Sequence, residues 1–116
     1  MTIVQLLIEY LSEQLEDTYV GVEAPKQKTN YVLIDQTGSD TRNHITTTTI
    51  AVQSYGASLY DAMVLNEEVK SLMAGFVAES EVASVKLETD YNFTNTETKQ
   101  YRWQAVYQIT HYLGGF

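Results

Sequence analysis

Residues 82–93 and 100–113 are two long stretches joined by a polar link, Thr94-Asn95-Thr96-Glu97-Thr98-Lys99. In the second stretch Tyr101, Trp103, Ala105, Tyr107, Ile109, His111 and Leu113 share one side. Arg102, Gln104, Val106, Gln108, Thr110 and Tyr112 share the other. The first stretch alternates in part, with Ala83, Val85, Leu87, Tyr91 and Phe93 against Ser84, Lys86, Glu88, Asp90 and Asn92. A period of two is the signature of a strand with one face on a core. The spacing predicts a β-hairpin whose tip reaches into water.

Two further strands are predicted upstream. Residues 31–37 are rich in branched and aromatic side chains and run into Gly38-Ser39-Asp40, a breaker signal. Residues 38–44 contain no apolar side chain and read as a polar hairpin loop. Residues 45–55 centre on four consecutive threonines, whose branching at Cβ favours extended backbone. Ile50 and Val52 are expected on one face, Ala51 and Tyr55 on the other. With threonines on both faces, only one face is expected to carry the core. Residues 19–22 read as a short strand or an extended lead into the break at Pro25.

Two helices complete the set. In residues 3–15, Ile3, Leu7, Tyr10, Leu11 and Gln14 fall on one helical face, flanked by Val4, Ile8 and Leu15. Thr2 followed by Gln5 fits a capping box. In residues 58–76, Ser58 is the expected N-cap, and Leu59, Ala62, Met63, Val69, Leu72, Met73 and Phe76 line the face. The order is therefore α-(β)-β-β-α-β-β within one domain, residues 1–116. The helices are the only elements able to cover the apolar side of the sheet. An α+β, two-layer sandwich is predicted, with two helices on one face of a mostly antiparallel sheet of four or five strands.

Composition narrows the function. The chain has no cysteine, so a thiol nucleophile, a disulfide framework and a cysteine-held metal are excluded. Seven basic residues against fifteen acidic ones give a net charge of -8, which opposes binding to phosphate backbones and anionic membranes. Lys26 and Lys28 are the nearest thing to a basic cluster. No apolar run approaches the about 20 residues of a membrane span, and the start of the chain lacks a signal-peptide pattern.

Sites of chemistry are scarce. His44 and His111 are the two histidines, and neither has the spacing of a metal ligand or a neighbouring acid that marks a base. Glu79 with Glu81 and Asp35 with Asp40 fall in turns, as solvated surface. No nucleophile elbow or glycine-rich phosphate loop is present. No catalytic, cofactor-binding or metal-binding residue is assigned, and the chain is expected not to be an enzyme. Nine tyrosines and one tryptophan favour subunit contacts, because such rings join an apolar body to a polar tip. Polar-tipped hairpins suit pairing with a neighbour's sheet edge. The expected interface residues are Asp40, Arg42 and His44 at one tip, Asn95, Glu97 and Lys99 at the other, and Arg102 and Tyr112 on the last strand.

As a whole the chain resembles the small tail-completion, or tail-terminator, proteins of long-tailed bacteriophages and related prophages. The resemblance lies in the opening helix, residues 22–28 with Pro25 and Lys26, and residues 31–38. It continues through residues 44–55 into Ser58 and Ala62, and through Tyr101-Arg102-Trp103-Gln104 to Ile109. It implies a ring of self-associated subunits, commonly six, that caps the tail tube and meets the head connector. It also implies residence in the virion tail, after assembly in the host cytoplasm. Head-completion or neck proteins share this pattern, and a stand-alone binding module using a tyrosine-rich sheet face is the alternative from another class.

Overall fold

The computed structural model describes residues 2–26 and 29–112. The expectations for Lys28 and Leu113 lie outside the described residues. The elements run α1 (Ile3–Gln14), β1 (Tyr19–Gly21), β2 (Tyr31–Arg42), β3 (Ile45–Gly56), α2 (Leu59–Gly75), a 3-10 turn (Phe76–Ala78), β4 (Val82–Asn92) and β5 (Tyr101–His111). The five strands form one sheet in the order β1-β2-β3-β5-β4. β1 pairs with β2 in parallel and every other pairing is antiparallel. The fold is α+β, with both helices on one face, as the sequence predicts.

Both helices begin as their caps dictate. Thr2 Oγ1 accepts from the Gln5 amide while Gln5 Oε1 accepts from the Thr2 amide, a reciprocal arrangement that satisfies two otherwise orphaned donors. Ser58 Oγ accepts from the Asp61 amide. Gly56 allows α2 to start close to β3, since a Cβ there would lie 2.5 Å from the Ala62 amide nitrogen. The core joins Leu7 and Leu11 of α1, Val69 and Met73 of α2, and Phe76 to Val32, Ile50, Val52, Ala105 and Ile109 of the sheet. Full burial of each large aliphatic or aromatic side chain contributes about 1.5–3 kcal/mol. Tyr10 ties the helices together: its hydroxyl donates to the Leu72 carbonyl at 2.6 Å, and its ring lies 5.1 Å from that of Phe76.

Several expectations are corrected. The strand predicted at 31–37 runs on to Arg42, and the loop expected over 38–44 shrinks to a turn at Asn43 and His44. An extra residue at Thr37, between Gln36 and Gly38, absorbs the change of register, so the glycine marks a β-bulge instead of an end. Both turn residues have positive φ, 52° and 66°, as the tight hairpin turn matching strand twist requires. In β4 two further bulges, at Ala83 and Glu88, break the expected alternation. Asp90 consequently faces the helices and Tyr91 faces away.

The helix faces also shift. In α1 Leu6 is buried and Gln14 exposed; in α2 Leu65 and Asn66 are buried, while Leu59 and Met63 are substantially exposed. Thr46 and Thr48 of β3 are buried on the core side, yet Ala51 and Tyr55 are buried on the opposite side too. The threonine run therefore does not leave the second face open along its whole length.

Candidate functional site

The face of the sheet without helices is built from Leu33 and Asp35 of β2, alternate residues of β3 from Thr47 to Tyr55, and Arg102 to Thr110 of β5. Tyr91 of β4 completes it. Pairing sets Gln53 opposite Gln104 and Tyr55 opposite Arg102. Gln53 Nε2 donates to Gln104 Oε1 at 2.8 Å, the Gln104 amide donates to the Tyr91 hydroxyl, and Tyr55 Oη donates to Gln53 Oε1 at 3.0 Å. Arg102 extends this chain by donating from Nη1 to Tyr55 Oη at 3.1 Å, and from Nε to the Phe93 carbonyl at 2.7 Å. Its guanidinium lies 4.4 Å from the Phe93 ring centroid and 5.8 Å from that of Tyr55. The rings of Tyr31 and Tyr55 stack at 4.5 Å, and Tyr91 meets Phe93 edge to face. Burial holds the Tyr31 hydroxyl above its ordinary titration range, the neighbouring Tyr55 adds to this, and Arg102 opposes it.

This network is polar, aromatic and already ordered. A partner meeting it need not freeze those side chains, so the ordering cost that weakens most contacts is reduced. Beside it lies a cleft of about 320 Å³, lined by Tyr31, Tyr55, Ala57, Lys99, Gln100 and Tyr101 among others.

The predicted interface residues separate into two groups. β3 runs antiparallel to β5, so the β2–β3 turn and the β4–β5 turn lie at opposite ends of the sheet. Asp40 and Arg42 form an exposed ion pair at 3.2 Å near the first turn, where His44 also lies, and Tyr112 is at the same end. Asn95, Glu97, Lys99 and Arg102 gather at the second. There Asn95 Oδ1 accepts from the amides of Glu97 and Thr98, and Lys99 takes a positive φ of 55°. Of the network the sequence reading named only Arg102; it missed Gln53, Tyr55, Tyr91 and Gln104, and Tyr31 stacked beside them. Their clue is register, which no single strand pattern carries.

The other polar groups are committed to packing. His111 is buried and shares a 2.7 Å hydrogen bond between its Nε2 and Thr48 Oγ1; it fills the strand. Asp90 accepts from Trp103 Nε1 at 3.0 Å, Lys70 Nζ at 3.3 Å and Asn66 Nδ2 at 3.5 Å. The Trp103 bond, reinforced by Lys70 and Asn66, holds its carboxyl below the usual carboxylate range against the opposing effect of burial. Its lone pairs are spent on joining β4 to α2 and β5. Burial pushes the Tyr107 hydroxyl well above its ordinary value. Among the described residues no three of His, Asp and Glu converge as metal ligands, and no helix is long and apolar enough to cross a membrane. Compared with known families and curated proteins, the chain matches no family model and no curated protein.

Proposed function

We propose that this chain is a non-enzymatic assembly subunit that closes into a homo-oligomeric ring, with the tail terminator of a long-tailed phage as the specific role. The observation that carries this reading is the helix-free sheet face, with its ordered network from Tyr91 through Gln104, Gln53 and Tyr55 to Arg102. Aromatic rings and arginine are the residue types enriched in protein interfaces. The two hairpin turns, at opposite ends of the sheet, add reach toward neighbours. In this role the partners are further copies of the chain, the tail tube and the head connector, in the host cytoplasm and then in the virion. The net charge of -8 supports a role that does not depend on gripping nucleic acid or membrane.

Sedimentation or light scattering over a concentration series, alone and with tail-tube protein, tests the reading. A closed oligomer of defined number is expected to appear, at lower concentration when the tube is present. A monomer at every concentration, with or without the tube, overturns it. The second reading, a ligand-binding module, is favoured by the tyrosine-lined cleft beside Arg102; a persistent monomer with a protected cleft would point there.

A further inference from the structure

We propose that the cleft at the β4–β5 end of the sheet receives the acidic outer face of α1 from a second copy, making a head-to-tail contact. This rests on the self-assembly reading above and specifies which two surfaces meet.

The first observation is an imbalance in charge pairing. Arg42 is paired with Asp40, Lys70 with Glu67 and Asp90, and Lys86 with Glu88. Among the described residues Lys26, Lys99 and Arg102 have no carboxylate within ion-pair distance. Two of these, Lys99 and Arg102, lie at the same end of the sheet beside the tyrosine-lined cleft. In a chain with fifteen acids and seven bases, leaving two neighbouring cations unmatched is unexpected for an isolated surface. Arg102 is also held in place, by the Phe93 carbonyl, the Tyr55 hydroxyl and two ring faces. It meets a carboxylate without first losing rotamer freedom.

The second observation is the complementary surface. Residues 1–25 hold five acids and no lysine or arginine. Glu9 and Glu13 are exposed on one side of α1, four residues apart, and Glu16 is exposed just beyond its C-terminal end. The opposite side of α1 is fixed in the core by Ile3, Leu7 and Leu11, so this stripe faces outward from the helix layer. Tyr31 and Tyr55 of the cleft belong to the other side of the sheet. One subunit therefore cannot satisfy its own cations with its own stripe. Two copies can, and because the surfaces differ the contact is heterologous, of the kind that generates rings or filaments. Elsewhere, like charge on two acidic copies repels, which restricts association to this orientation.

The test uses the full chain with Lys99→Glu, with Glu13→Lys, and with both changes together. Each single variant should raise the concentration at half-assembly by roughly tenfold, and added salt should do the same to the unsubstituted chain. The double variant, and an equimolar mixture of the two singles, should recover assembly. Glu9→Lys replaces Glu13→Lys should that chain fail to fold by circular dichroism. If the unsubstituted chain assembles but the single variants match it, or the double variant is no better than the singles, the docking proposal falls and self-assembly stands. If the unsubstituted chain never assembles, both fall.

Discussion

Asp90 shows how one carboxylate can secure an edge strand. It lies on β4, which has a neighbour on one side only, and it collects donors from Trp103, Lys70 and Asn66. Asp90→Ala strands these donors and should cost about 1–3 kcal/mol at neutral pH, toward the lower figure because part of the side chain reaches solvent. An acid whose folded pKa is depressed contributes stability above its unfolded value and loses it as pH falls through the folded one. The gap between the native chain and Asp90→Ala should therefore be wide at pH 7, start to shrink only as pH falls past about 4, and be narrow at a pH below the folded value. Urea unfolding at the two pH values checks this; an equal gap at both would refute the assignment.

At the scale of elements, the β2–β3 turn places a histidine where the backbone has positive φ, a conformation costing a residue with a Cβ about 1–2 kcal/mol. His44→Gly relieves that cost and loses part of the gain to a more flexible unfolded chain. A net rise of roughly 2–6 °C in melting temperature is expected, and a fall would show that His44 makes contacts worth more than the strain. The helices and most strands were legible because caps and apolar spacing are local: Thr2, Gln5 and Ser58 announce their elements directly. The bulges were not, because Thr37, Ala83 and Glu88 are extra only relative to a partner strand. The Gln53–Gln104–Tyr91 chain was hidden for the same reason. Each residue is visible as polar or aromatic, but their meeting depends on the register of three strands.

At the scale of the molecule, stability should be uneven along the sheet. β1 covers only Tyr31 to Leu33 of β2, and residues 35–42 are exposed throughout, whereas Val52 and Ala105 lie wholly in the core. Hydrogen exchange on the dilute monomer should find the amides of residues 36–42 that point away from β3 exchanging at loop-like rates. Those of Val52 and Ala105 should open only with global unfolding. Equal protection in both regions would contradict this picture. The two rims of the sheet also differ in kind. On the β4 side, bulges at Ala83 and Glu88 kink the edge and Lys86 and Glu88 place charge along it, features that discourage a stranger's backbone from zipping on. With the β4 rim spoiled by two bulges and charge, a misdirected strand finds its only open backbone on the β2 flank, so no further strand can follow through the molecule and runaway fibre growth stalls at its first step.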